Sequence, residues 1–429
     1  MRPSFKIYFL ILVSFYVGCS DSITVSEQDT AEILKILASD DLKGRHALSS
    51  EITKAEDFIA AHFQSYGLEY ANDEADYFQS FRIKEVSILD SELLVNGNEI
   101  DESRYFGFFS QDDVFLSSTN TEIVYLEKGK NFRSVFNEMR SSKEDKLVIV
   151  DSEYDDIFGR YQSYYSQNNR IMEGEERGNI LFLISDEQVN NFSAHITASS
   201  KFYELRNVVG IIKGKRTDEI VIFSAHHDHI GIRTSANADS IANGANDNAS
   251  GVTAVIQLAN YFSKQPQPER TLMFVTFTAE EMGGFGSRFF SKKQNPDDIV
   301  AMFNIEMIGK PAVSGPNTAW ITGYDRSTFG EILSASTENS EYEFYADPYP
   351  NQGLFYRSDN AVLARLGVPA HSISTTPIDV DPDYHEVSDE YETIDISHLN
   401  NTITAIAKAA ETIVSAKATP TRVDTTLVD

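Results

Sequence analysis

Residues 220–229 read Ile-Val-Ile-Phe-Ser-Ala-His-His-Asp-His, and this stretch indicates the fold. Its first four residues form a continuous apolar run, which is typical of a strand buried on both faces of a sheet. Histidine and aspartate follow directly after that run. In open α/β sheets, ligands bind just beyond the carboxyl ends of the strands, so we expect a binding site at this point.

Similar apolar patterns occur on both sides of this stretch. Apolar runs predict further strands at residues 208–212, 272–277 and 300–305, and one-sided apolar patterns predict helices at residues 26–38, 50–66, 249–262 and 396–414. Strands that alternate with helices predict an α/β fold. We expect a mixed, mostly parallel central sheet with helices on both faces.

Residues 86–203 differ from the rest of the chain. Short β-like runs at 146–150 and 179–184 alternate there with polar loops rich in Tyr and Asn. We predict an inserted, β-rich accessory domain at 86–203, between two parts of the main domain at 26–85 and 204–416. The Thr-rich tail, 417–429, is expected to be disordered.

Composition and the N-terminus limit the partners and the compartment. The chain has 429 residues and a net charge of −29, which argues against nucleic acid and anionic membrane surfaces as partners. Basic residues precede an apolar run at 7–17, which is shorter than the roughly 20 residues of a membrane-spanning helix and suits a signal peptide at 1–19.

Cys19, the one cysteine of the chain, follows Gly18 at the end of that run. This arrangement resembles the lipobox of bacterial lipoproteins, although Tyr16 stands where such boxes carry leucine. It predicts an exported protein, a periplasmic or outer-membrane lipoprotein of a bacterium, whose membrane contact is a lipid anchor on Cys19. The alternative is an ordinary cleaved signal and a secreted protein. A single cysteine excludes disulfides within the chain.

Five segments of the chain carry potential metal ligands: residues 225–229, 244–251, 278–283, 304–309 and 383–386. His226 and Asp228 are two apart at a strand end, so their side chains project to the same side. That spacing suits His226 as a ligand and Asp228 as the partner of its other ring nitrogen. We interpret His227 and His229 as ordinary surface or core residues.

The carboxylates are ambiguous when each is taken alone. Asp247 precedes a helix, where it serves either as a cap or as a carboxylate that bridges two cations. The adjacent carboxylates of Glu280 and Glu281 repel each other unless a cation is present, although they could also be a solvated pair. Glu306 lies in a largely apolar run, residues 300–308, where a buried charge needs a partner such as a metal ion. His385 lies in a turn-rich loop and is unremarkable locally. Jointly, the five segments predict a metal-dependent hydrolase.

In this order the segments resemble those of the co-catalytic two-zinc aminopeptidases, peptidase family M28. Residues 39–45, Ser-Asp-Asp-Leu-Lys-Gly-Arg, are similar to the N-terminal signature of that family, and the insert lies where many members carry a protease-associated domain. The resemblance implies that Asp247 bridges two zinc ions. It implies His226 and Glu306 as further ligands of one ion, Glu281 and His385 as ligands of the other, Glu280 as general base and Asp228 as support for His226.

Two positions depart from the family pattern. Most members carry Asp in place of Glu306, and the family's Ser-Asp-His segment is here Ser358-Asp359-Asn360, to which we assign no role.

The activity implied by the resemblance is that of a zinc metallopeptidase, an aminopeptidase. It would hydrolyse the N-terminal bond of peptides or proteins through a water bridged between two zinc ions, with Glu280 taking the proton. Cobalt or manganese could replace zinc at such ligands. Two alternatives remain at this point: a glutaminyl cyclase, and a non-catalytic binding protein on a peptidase fold.

Overall fold

The computed structural model of the protein describes residues 23–71, 74–166, 169–233 and 239–427. The predicted signal peptide and Cys19 lie outside these residues. Within the described ranges, no helix is long and apolar enough to cross a membrane.

The described residues form 18 strands and nine α-helices. The strands are β1 (Glu69–Tyr70), β2 (Phe78–Val95), β3 (Asn98–Glu99), β4 (Tyr105–Phe108), β5 (Asp113–Ser117), β6 (Glu122–Leu126), β7 (Lys146–Val150), β8 (Arg170–Met172), β9 (Ile180–Ile184), β10 (Phe192–Ile212), β11 (Arg216–His226), β12 (Gly231–Ile232), β13 (Ile241–Ala242), β14 (Arg270–Phe277), β15 (Ile299–Ile305), β16 (Thr318–Ile321), β17 (Glu343–Ala346) and β18 (Ala370–Ser374). The helices are α1 (Glu27–Leu37), α2 (Ile52–Ser65), α3 (Phe132–Arg140), α4 (Asp155–Tyr165), α5 (Gly251–Ser263), α6 (Phe285–Lys292), α7 (Phe329–Thr337), α8 (Asn360–Ala364) and α9 (Ile396–Val414).

The central sheet is mixed, and its middle is parallel. Its order is β17-β16-β18-β15-β11-β14-β10-β2-β3. Strands β18, β15, β11 and β14 run parallel to one another, whereas β16 and β10 flank them in antiparallel pairings. The fold class predicted from the sequence is confirmed.

Helices cover both faces of this sheet. Along β11, Val221 and Phe223 face a core that they share with α1, α2, α5, α7 and α9, while Ile222 faces the core on the other side, with α6 and α8. Successive side chains of a strand point to opposite faces, so a strand covered on both sides needs apolar residues at every position. This requirement explains the uninterrupted apolar run of residues 220–223.

The insert continues from the main sheet. Strands β2 and β10 pair antiparallel from Phe78–Val208 to Val95–Phe192 and carry the chain outward. A separate four-stranded sheet, in the order β4-β9-β7-β6, packs with α3 and α4 around a second core. The insert therefore contains helices as well as strands, and residues 86 and 203, the expected boundaries, fall inside continuous strands. The division into domains stays a prediction.

The tail differs from the sequence-based expectation of disorder. Its described part, residues 417–427, lies against the main domain, where Val423 is buried. Arg422 donates hydrogen bonds to the carbonyls of Pro296 and Ile299, at 3.0 and 2.8 Å. Its Thr-rich composition suggests disorder, but composition does not reveal these contacts with residues more than a hundred positions away.

Candidate metal centre

The predicted ligands meet at one edge of the central sheet. His226 is the last residue of β11, Glu281 follows β14, and Glu306 follows β15. These three strands are adjacent and parallel, so their carboxyl ends lie side by side. Asp247 lies in the turn Ala245–Ser250, which leads into α5, and His385 lies in the loop after β18.

One cluster consists of His226, Asp247 and Glu306. Nε2 of His226 lies 3.0 Å from Oε1 of Glu306 and 3.3 Å from Oδ1 of Asp247. Candidate ligand atoms from these three residues all lie within 4.8 Å of one another.

A second cluster uses the other oxygen of Asp247. Nε2 of His385 lies 3.2 Å from Oδ2 of Asp247 and 3.3 Å from Oε2 of Glu281. Asp247 therefore contacts an imidazole with each of its two oxygens, which is the arrangement that a bridging carboxylate needs.

His229 also lies in this second cluster, which the sequence reasoning missed. Its Nδ1 lies 2.8 Å from Oε1 of Glu281 and 3.9 Å from Oδ2 of Asp247, and these atoms form a potential ligand group. Nε2 of His385 is almost equally distant from the carboxylates of Asp247 and Glu281, whereas Nδ1 of His229 is close to the carboxylate of Glu281 alone. We therefore keep His385 as the candidate ligand. The only sequence signal for His229 was its position in the same short segment as His226.

Asp228 contacts the neighbouring turn. Nδ1 of His226 lies 3.0 Å from the backbone carbonyl of Asp228 and 3.8 Å from its carboxylate. The carboxylate instead accepts hydrogen bonds from the backbone N–H groups of Glu280 and Glu281, at 3.0 and 3.3 Å. Asp228 thus orients His226 through its main chain and the two glutamates through its side chain.

Ser358, to which the sequence assigned no role, contacts the carboxylate of Glu306. The hydroxyl of Ser358 donates a hydrogen bond to Oε2 of Glu306 at 2.7 Å, and it accepts one from the side chain of Asn304 at 2.9 Å. The neighbouring Asp359 is buried, and burial raises its pKa to about 7. Asn360 donates to the carbonyls of Phe355 and Ala370, which is a structural role.

The turn that carries Asp247 is fixed by two buried charged side chains. The carboxylate of Asp389 accepts hydrogen bonds from the backbone N–H groups of Asn246 and Asp247, both at 2.9 Å. Arg45 donates to the carbonyls of Asn243 and Gly244, at 2.6 and 2.9 Å, and also to those of Leu37 and His227. The signature segment 39–45 therefore contributes a support for the site.

The ligand atoms suit two divalent cations. Each cluster offers at least one imidazole nitrogen and two carboxylate oxygens, the donors that zinc accepts in proteins. Donors about 2.0–2.1 Å from a tetrahedral zinc ion lie about 3.3 Å apart, and the imidazole–carboxylate distances here are 3.0, 3.3, 3.2 and 3.3 Å. The residues therefore fit a metal in each cluster.

Electrostatics support the same conclusion. Burial alone would lower the pKa of His226, but Glu306, Asp247 and Glu280 outweigh burial and hold it well above its usual value. Burial raises the pKa of Glu280 well above the usual range for glutamate, and Asp359 and Glu281 add to that increase. Such a concentration of buried carboxylates calls for positive charge, which divalent ions would supply.

The clusters open into a cavity of about 360 Å³. Its apolar wall consists of Met307, Trp320, Leu354 and Ile378, and α4 of the insert contributes Tyr164. Glu280 and Tyr384 also line it. Burial, with Asp247 and Glu281, raises the pKa of Tyr384, so its phenol remains protonated and can donate a hydrogen bond.

Parts of the chain are similar to curated proteins. A probable zinc metalloprotease of Pyricularia oryzae is 32% identical over 109 residues, which are 25% of this chain and 21% of that protein. A probable lipoprotein aminopeptidase of Mycobacterium tuberculosis, LpqL, is 29% identical over 119 residues, 27% of this chain and 22% of that protein. The chain thus matches about a fifth of the length of these curated relatives.

Among solved structures, an aminopeptidase from Aneurinibacillus sp. strain AM-1 shares the fold, with a TM-score of 0.56 and 18% identity. That likeness covers 94% of this chain and 96% of the other. The sequence model of peptidase family M28 matches residues 207–410, the segment that contains all five predicted ligands. The part of the chain that holds the predicted ligands therefore belongs to peptidase family M28.

Proposed function

We propose that the protein is a metal-dependent aminopeptidase that removes the N-terminal residue of peptides, with two zinc ions as cofactors. One observation carries this proposal: Asp247 contacts His226 with one carboxylate oxygen and His385 with the other. Glu280 lines the same cavity. His226, Asp247 and Glu306 would hold one ion, and Asp247, Glu281 and His385 the other. The ions would supply water activation and polarisation of the scissile carbonyl.

The protein's own residues divide the remaining work. Glu280 takes a proton from the attacking water and returns it to the leaving amine. Asp228 fixes the backbone on which Glu280 lies. Tyr384 donates a hydrogen bond to the oxygen of the scissile carbonyl, where negative charge develops.

The cavity also suits the end of a peptide. Its carboxylates attract the free ammonium group of an N-terminal residue, and its apolar wall of Met307, Trp320, Leu354 and Ile378 can contact that residue's side chain. A chain without a free N-terminus would lack the ammonium group.

The test is hydrolysis by metal-analysed protein. We expect cleavage of leucyl anilide, no cleavage of its N-acetylated form, and loss of activity with a chelator that added zinc reverses. Glutaminyl anilide and glutaminyl peptides serve as a control, because cyclisation of these substrates without leucyl cleavage would identify a cyclase. Absence of cleavage with two bound ions would contradict the proposal.

We further propose that the protein is exported and lipid-anchored at Cys19. The apolar run at 7–17 that ends at Gly18 and Cys19 supports this proposal. Metabolic labelling of a bacterial host with a palmitate analogue should mark the wild type but not Cys19→Ala.

A further inference from the structure

A second cavity, of about 620 Å³, lies where the insert meets the main domain. Six basic side chains line it: Arg140, Lys143, Arg170 and Arg177 from the insert, and Arg288 and Lys292 from the main domain. We call it the basic cavity. Gly283 lines both this cavity and the catalytic one, so the two are adjacent.

The charge of this cavity is opposite to that of the protein. Glu175 and Glu176 are the acidic residues in its lining, against six basic ones, whereas the whole chain has a net charge of −29. Like charges held together raise the free energy of the folded state. A cationic cavity beside an acidic active site therefore calls for a specific reason.

Four of the six cations have ion-pair partners. Glu175 contacts Arg288 at 2.8 Å and Lys292 at 2.6 Å, Glu85 contacts Arg170 at 2.7 Å, and Glu176 contacts Lys143 at 3.4 Å. Within the described part of the chain, Arg140 and Arg177 have no carboxylate partner.

Arg140 and Arg177 both lie against the ring of Phe108. Their guanidinium carbons each lie 5.3 Å from the centre of the Phe108 ring. Arg177 donates to the side chain of Asn169 at 2.6 Å, yet its Nε is buried without a hydrogen-bond partner among the described residues. Burial, together with Arg140 and Arg288, lowers the pKa of Arg177 to about 10, against the opposing effect of Glu175. An oxyanion in the cavity would offset the positive charge of these guanidinium groups.

We propose that the basic cavity binds the carboxylates of an acidic peptide segment downstream of the scissile bond. This inference rests on the proposed aminopeptidase function. Glu280 returns its proton to the leaving amine, so the departing part of the substrate lies on the side of Glu280. Gly283, three residues further along the same turn, opens to the basic cavity. Free phosphate offers the same oxyanion chemistry and is the alternative source.

The experiment measures binding, which does not require turnover. A fluorescent, N-acetylated peptide rich in Asp and Glu is titrated against zinc-loaded protein, alongside its Asn/Gln counterpart. Partly exposed charge pairs each contribute modestly, so we expect roughly tenfold tighter binding of the acidic peptide, decreasing as salt screens the charges. Equal affinity for both peptides would overturn the proposal.

A matched pair of variants locates the binding. Arg140→Gln with Lys143→Gln removes two cations from the basic cavity, and Lys128→Gln with Arg133→Gln removes two from the same insert outside its lining. Thermal unfolding checks that both variants fold. The first should lose the preference for the acidic peptide and the second should keep it. The same loss in both variants would show a non-specific charge effect and overturn the proposal.

Two further measurements separate the possible explanations. Inorganic phosphate is titrated alone and as a competitor of the acidic peptide. If phosphate binds in a way that depends on Arg140 and Lys143 but the acidic peptide does not bind, the cavity is a site for a free anion. That result would overturn the proposed link to the substrate. Hydrolysis of leucyl anilide by the wild type tests the proposed activity by itself. Failure of that hydrolysis, with selective binding of the acidic peptide retained, would refute the activity and leave the anion site in place.

Discussion

Arg45 provides the sharpest test of how the fold supports the metal centre. Its side chain is 1% exposed and donates hydrogen bonds to four backbone carbonyls, those of Leu37, His227, Asn243 and Gly244. Two of these lie beside proposed metal ligands, because His227 follows His226 and Gly244 precedes Asp247 by three residues. Burial lowers the pKa of Arg45 to about 10, although Asp389, Asp247 and Asp228 oppose this effect. Arg45 is therefore charged at neutral pH.

Replacement of Arg45 by Lys keeps the charge but not the fork of donors. A lysine ammonium group is shorter in reach and cannot contact all four carbonyls. If two are left without a partner, at about 1–3 kcal/mol for each buried group, the folded state loses roughly 2–6 kcal/mol. For a chain of this size, that loss corresponds to a decrease in Tm of roughly 2–7 °C. Because Gly244 and Asp247 share one turn, zinc affinity should also fall.

The assay combines thermal unfolding with a zinc titration against a competing chelator. Arg422→Lys is the matched control, since Arg422 also donates to two backbone carbonyls but is exposed and distant from the site. We expect a much smaller change in Tm for the control and none in zinc affinity. The reasoning is refuted if Arg45→Lys unfolds within about a degree of the wild type or resembles the control.

Three further predictions, made with four substitutions, test the site and the fold. Glu280→Gln should keep both metal ions and lower kcat by about 10²–10⁴, because the general base is lost; full activity would exclude that role. His385→Ala should bind one zinc ion fewer than the wild type, whereas His229→Ala should retain both, as measured by elemental analysis after dialysis, and the reverse result would make His229 the ligand. Burial lowers the pKa of His371 to about 4, from an ordinary 6.5, so the unfolded chain takes up a proton below pH 6.5 that the folded protein refuses. Stability should therefore fall as pH decreases from 6.5 towards 4, by about 2 kcal/mol at pH 5 from this group, and urea unfolding of His371→Gln should show a smaller pH dependence.

The sequence reveals those parts of the site that local chemistry explains. Residues 220–223 predict a doubly covered strand because every position needs an apolar side chain, and His226 follows directly from its end. Glu306 stands out because a charge inside an apolar run needs a partner. In each case the signal itself is local, because it can be read within one short run of residues.

The supporting contacts could not be predicted in this way, because they join distant parts of the chain. Arg45 and Gly244 are 199 positions apart, and Glu280 and Asp228 are 52 apart. Ser358, Arg45 and Asp389 are ordinary polar residues in the printed sequence. Their function arises only from the topology, which brings the ends of β11, β14 and β15 to one edge of the sheet.

Glu306 shows how such a contact can compensate for a change in a ligand. Its backbone is fixed by the sheet, since its N–H donates to the carbonyl of Ile373 at 3.0 Å. The longer side chain, where the family pattern has Asp, places Oε1 3.0 Å from His226. The hydroxyl of Ser358 holds Oε2 at 2.7 Å, which restricts the rotation that the extra methylene adds and leaves one oxygen directed at the metal position. In this chain, then, the geometry of the ligand depends on Ser358 as much as on the identity of residue 306.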